Sequence, residues 1–121
     1  MSAIVVPLLT DKVDAWIAWI NECTGTRRTE FEEFNRRMGL TEHRVWLDEG
    51  PGGARTIVVH EGPGAETLMS TLATSDHPFD TWFRNNITEF HGMDFSQPMP
   101  GTTPRNMLNW TAGDSAREAT T

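Results

Sequence analysis

Ile4-Val5-Val6-Pro7, running on into Leu8 and Leu9, is apolar at odd and even positions alike. Successive side chains of a strand point to opposite faces, so a strand of this composition must be covered on both sides. The chain has 121 residues, enough for one hydrophobic core, a few strands and a few helices. Its helices can cover one face of a small sheet. The other face needs a second cover, and a second copy of the sheet is the simplest. The expectation is a small α+β subunit of an obligate homodimer.

Composition narrows the function classes. An apolar fraction of 37% is sufficient for a core, and five Trp and six Phe supply bulk at few positions. The net charge of −7 argues against a nucleic-acid partner, which requires a basic stripe to neutralise phosphates. Arg27-Arg28 and Arg36-Arg37 are the local basic pairs, and Glu30, Glu32 and Glu33 dilute both. Cys23 stands alone, so neither an internal disulfide nor a Cys-rich metal knuckle is expected. No signal-peptide pattern opens the chain and no run approaches ~18 apolar residues, so a cytoplasmic protein without a membrane partner is expected.

Along the chain, residues 3–9 read as the first strand. Thr10 or Asp11 then caps a helix with the stripe Val13, Trp16, Ile17 and Ile20. Gly25 interrupts it, Thr29 and Glu32 form a capping-box pattern, and Phe31, Phe34 and Met38 carry a helical stripe to Gly39. Residues 11–38 are thus one bent helix or two consecutive ones. Strands follow at 41–48 and 55–61 around turn material at 49–54. A short helix carries Ala65, Leu68, Met69 and Leu72, and Pro78 opens a longer one with Phe79, Trp82, Phe83, Ile87 and Phe90 on one stripe. After a loop rich in proline at 93–104, residues 105–111 read as a last strand. A single domain over 1–111 is expected, with a small, polar, disordered tail over 112–121.

The order β-α-β-β-α-β is the ferredoxin-like pattern of an antiparallel α+β fold. The helix opening Asp11-Lys12-Val13-Asp14-Ala15-Trp16-Ile17, the hairpin, and a second helical region with Ser75-Asp76-His77 and Trp82 together resemble the dimeric α+β barrel superfamily. The resemblance implies two subunits pairing sheet to sheet, each with a pocket between sheet and helices. That superfamily includes cofactor-free monooxygenases, polyketide cyclases, haem-degrading enzymes and stress proteins, so the fold alone does not choose a chemistry.

The hairpin yields the sharpest reading. A turn centred on Pro51-Gly52 opposes Asp48 to Arg55, Trp46 to Ile57, Val45 to Val58 and His43 to His60. The Asp48–Arg55 pair is charge-complementary and favours this register. His43 and His60 then share a face with Val45, Leu47, Thr56 and Val58, while Arg44, Trp46, Ile57 and Val59 share the other. Two adjacent imidazoles can act as a base and its relay. The commoner explanation is cross-strand neighbours bonded to backbone or water, and a one-residue slip would separate them.

His77 precedes Pro78 and suits a helix cap, and His91 suits the end of the same helix. Either is at best loosely placed for the helix-borne haem ligand that the superfamily implies in its haem-degrading members. Asp80 and Arg84, four apart, read as a solvated ion pair. The aromatic stripe from Phe79 to Phe90 is core by spacing, yet with Trp16 and Trp46 it would also line a pocket for a flat apolar ligand. With no Tyr in the chain, acid–base steps fall to His, Asp or Glu.

The reading is a protein acting on a flat hydrophobic small molecule, independent of cofactor or metal, of the cyclase, isomerase or monooxygenase type. His43 and His60 would handle the proton, and Trp16, Trp46, Trp82 and Phe83 would shape the pocket. The alternatives are a non-catalytic small-molecule-binding or stress-type dimer and, further off, a haem-binding or haem-degrading protein.

Overall fold

The two-residue turn at Pro51-Gly52 closes the hairpin on which the rest is built. In the computed structural model, which describes residues 1–97 and 101–112, β2 (Glu42–Gly50) and β3 (Gly53–Glu61) pair antiparallel on both sides of it. The register matches the sequence reading, with Asp48 opposite Arg55 and His43 opposite His60. Arg55 Nε donates to Asp48 Oδ2 at 2.7 Å. β1 (Ser2–Pro7) pairs antiparallel with β3 on its other edge, giving the order β1-β3-β2.

Two helices, α1 (Val13–Thr24) and α2 (Arg28–Arg37), connect β1 to β2. After β3 come a single 3₁₀ turn (Ala65–Thr67), α3 (Leu68–Thr74) and α4 (Pro78–His91). Gly25 separates α1 from α2, so the helical region is two helices. The helices pack on the sheet face that carries Ile4, Val6, Val45, Leu47, Thr56 and Val58, around a core in which Phe34, Leu72 and Phe79 are almost wholly buried. The architecture is α+β with an antiparallel sheet, compatible with a ferredoxin-like arrangement. No helix among the described residues is long and apolar enough to cross a membrane.

Four expectations are corrected. The last strand over 105–111 is absent: beside β1 the chain makes one isolated antiparallel bridge, Val5 to Thr102, with hydrogen bonds of 2.8 and 2.9 Å. The next hydrogen-bonded pair of that ladder would be Ala3 with Pro104, and proline has no N–H to donate. Beyond it Met107, Leu108 and Trp110 are exposed. The expected disordered tail lies, from residue 113 on, outside the described residues.

The α1 stripe is rotated from the expected one. Trp16, Trp19 and Cys23 are buried, and Ile17 is exposed. Trp19 sets this face, because its ring packs against Phe83 and Phe90 at centroid distances of 4.9 and 5.6 Å, and a large aromatic gains more from burial than an Ile. The capping box at Thr29 does not form. α2 begins at Arg28 with Arg27 as its N-cap, two residues before the expected one, and Glu32 instead pairs with Arg28 at 2.9 Å.

Asp80 is not solvated and does not pair with Arg84. It is buried at 2% exposure, in an ion pair with Arg37 of α2, and it accepts from Ser75 Oγ at 2.6 Å. Arg84 turns to the end of α3, donating to the Leu72 and Ser75 carbonyls at 2.6 and 2.8 Å. The orphan carbonyls of a helix C-terminus need such donors. Asp80 thus ties α4 to α2, and Arg84 ties it to α3.

Candidate functional site

A cavity of about 230 Å³ lies between the sheet and its helices. Ile4, Val6, Val45 and Val58 form its sheet wall, and Trp16, Trp19, Phe31 and Phe83 face them from α1, α2 and α4. The alternation of each strand aims one set of side chains inward, which is how the His43–His60 pair comes to line the cavity. Among the described residues that line it, none is Asp, Glu, Lys or Arg.

The two rings stand with centroids 4.5 Å apart and planes inclined at 67°. His43 is also 5.3 Å from the Phe31 ring and 6.5 Å from that of Phe83. Burial, and then the neighbouring His60, pushes the His43 imidazole down to about 3. Burial pushes His60 down to about 4. An apolar wall penalises the charged form, and a second cation beside it does the same. Both rings are neutral at physiological pH.

Asn35, one turn after Phe31 on α2, fixes one of them. Its Oδ1 lies 2.9 Å from His43 Nδ1. His91 also lines the cavity, with Nδ1 donating to the Pro7 carbonyl at 2.8 Å, and burial lowers its pKa against the opposing effect of that bond. Cys23 lines the cavity as well. Burial, and then the Glu22 carboxylate, raises its thiol to about 12 against the Arg27 guanidinium, so it is no nucleophile. The Trp19 Nε1–H is buried without an acceptor among the described residues, an arrangement that costs about 1–3 kcal/mol unless something supplies one.

The aromatic residues singled out in the sequence divide. Trp16 and Phe83 line the cavity. Trp46 does not: at 49% exposure it lies on the opposite sheet face, because β2 alternation sends Arg44 and Trp46 away from His43 and Val45. Nor does Trp82 reach the lining. It packs against Trp19 and Phe79 under the Arg27 guanidinium, 4.1 Å above its ring.

His77 is the N-cap of α4, where its Nδ1 accepts from the Phe79 N–H at 3.2 Å. Among the described residues no group of three or more His, Cys, Asp or Glu is arranged to hold a metal ion. Asn35 and Trp19 joined the site without any mark in the sequence, since nothing in spacing announces which helix position turns toward the sheet, whereas His91 stood out there only as suiting the end of its helix.

Compared with known proteins, the chain matches no family model and no curated protein.

Proposed function

We propose that the protein is a cytoplasmic homodimer of the dimeric α+β barrel type that takes a flat, apolar small molecule into the cavity between sheet and helices. It works there without a cofactor, as a cyclase, isomerase or monooxygenase does when its substrate is activated by proton removal. The supporting observation is the pair of neutral imidazoles, 4.5 Å apart, in a cavity lined mainly by apolar side chains. A neutral ring can accept a proton, and its neighbour can pass it on.

The burial that keeps the rings neutral also makes them weak bases. The substrate must then be acidic itself, or its anion must remain beside the imidazolium as an ion pair in low dielectric. That weakness gives the second reading its weight: with His43 bonded to Asn35 at 2.9 Å, the same cavity serves a protein that binds its ligand without turning it over.

The uncovered sheet face supports the dimer. Ala3, Val5, Ile57, Val59 and Trp46 share it, and a second copy laid on it would bury an apolar interface above ~2,000 Å² in total, as obligate dimers do. Native mass spectrometry of the protein from its host tests both parts. A dimer retaining a small molecule that is lost from His60→Ala agrees with the proposal. A bare monomer at micromolar concentration contradicts it.

A further inference from the structure

The polar groups of the cavity specify what the ligand must offer them. Asn35 Oδ1 has no hydrogen to give, so its 2.9 Å contact requires the His43 proton to sit on Nδ1. Nε2 is then a bare lone pair, and among the described residues nothing donates to it. His60 makes no hydrogen bond through either ring nitrogen among the described residues, so its neutral ring has one N–H to donate and one lone pair to fill. The two rings line the same cavity with centroids 4.5 Å apart.

We infer that the cavity selects an uncharged planar ligand of one or two fused rings whose hydroxyl, a phenol or an enol, donates to His43 Nε2 and accepts from the His60 N–H. The inference rests on the ligand-binding reading above and names the chemistry of its ligand. A hydroxyl is the smallest group that fills both roles at once. A ketone or ether only accepts and leaves Nε2 unpaired. A carboxylate or an ammonium brings a charge into a wall that has no Asp, Glu, Lys or Arg among the described residues, and burying an unpaired charge is costly. Burial also holds both imidazoles neutral, so neither supplies a standing countercharge. Size sets the ring count: a cavity of ~150 Å³ takes benzene, and about 230 Å³ has room for a second ring. The unpartnered Nε1–H of Trp19 leaves a place for one further oxygen acceptor on the ligand.

Isothermal titration of the full chain with 2-naphthol, 2-fluoronaphthalene and 2-naphthoate tests this. The fluoro compound has the same shape without the donor, and the acid adds charge. The expected order is naphthol tightest, by about tenfold over the fluoro compound, the worth of one good hydrogen bond, with naphthoate weakest. His43→Phe should erase the naphthol preference and leave the fluoro compound's affinity in place. Equal affinity of naphthol and the fluoro compound, or tightest binding of naphthoate, overturns the inference and leaves the ligand-binding reading standing. No binding by any of the three overturns both, and the comparison on the unaltered protein decides even if the variant does not fold.

Discussion

His43 and His60 face each other across β2 and β3 with ring centroids 4.5 Å apart, and the only hydrogen bond either ring makes among the described residues is the one from His43 Nδ1 to Asn35 Oδ1. A pair so enclosed stays uncharged. Its neutrality shapes the stability of the fold as well as the chemistry of the cavity.

Acid should therefore weaken the fold well above the carboxylate range. Above about 6.5, the ordinary imidazole value, the rings are neutral in both folded and unfolded chains. As pH falls below that value the unfolded chain takes up protons that the folded one refuses, and stability is lost until about 4 for His60 and about 3 for His43. The slope is about 1.4 kcal/mol per pH unit for each fully titrating group. Urea midpoints should drop between about pH 6.5 and pH 5, and His43→Gln should remove a large part of the slope. A flat midpoint over that window contradicts the burial of these rings.

Asp80→Ala should be the most damaging polar substitution. It strands the Ser75 hydroxyl and takes the partner from Arg37, whose own side chain is a third exposed, so the cost lies between that of a surface pair and a buried one, about 1–3 kcal/mol. Equilibrium urea unfolding measures it. A loss under ~1 kcal/mol would mean that the pair is no better than a surface one.

Gly64→Ala should destabilise through backbone contact alone. A Cβ there would stand 1.8 Å from the Met38 carbonyl oxygen, where the turn after β3 crosses the end of α2. Overpacking of this kind costs about 2 kcal/mol, and an unchanged urea midpoint would show that the two segments are not held together.

Trp46→Glu should dissociate the proposed dimer without touching the cavity, since Trp46 lies on the far face of the sheet beside Ile57. Sedimentation equilibrium at micromolar concentration should find the unaltered chain dimeric and the variant monomeric. A variant that remains dimeric would move the interface elsewhere.

The hairpin was the most legible part of the chain. Pro51-Gly52 and the Asp48–Arg55 pair fix a register by local rules, and that register alone brings His43 opposite His60. Long-range choices were illegible. Whether α1 buries Ile17 or Trp19 depends on which side chain packs beside Phe83, and that is decided by α4, far along the chain. Asp80 and Arg84 have the spacing of a surface pair, yet Arg37 and the end of α3 claim them separately. The final strand failed on one position: alternation at 105–111 is weak, and Pro104 removes the donor that would extend pairing past Thr102. Trp46 followed the pleat away from the pocket, as its own register implied. Its aromatic character had argued for the pocket, and geometry overruled it.

Nitrogen-15 NMR of the histidine rings, followed from about pH 8 to about pH 5, tests the neutral enclosed pair most directly. The expected result is a His43 ring held as the Nδ1–H tautomer with no titration across that range, and a His60 ring that stays neutral beside it. Two imidazoles titrating with midpoints near 6.5, the ordinary value, would contradict it.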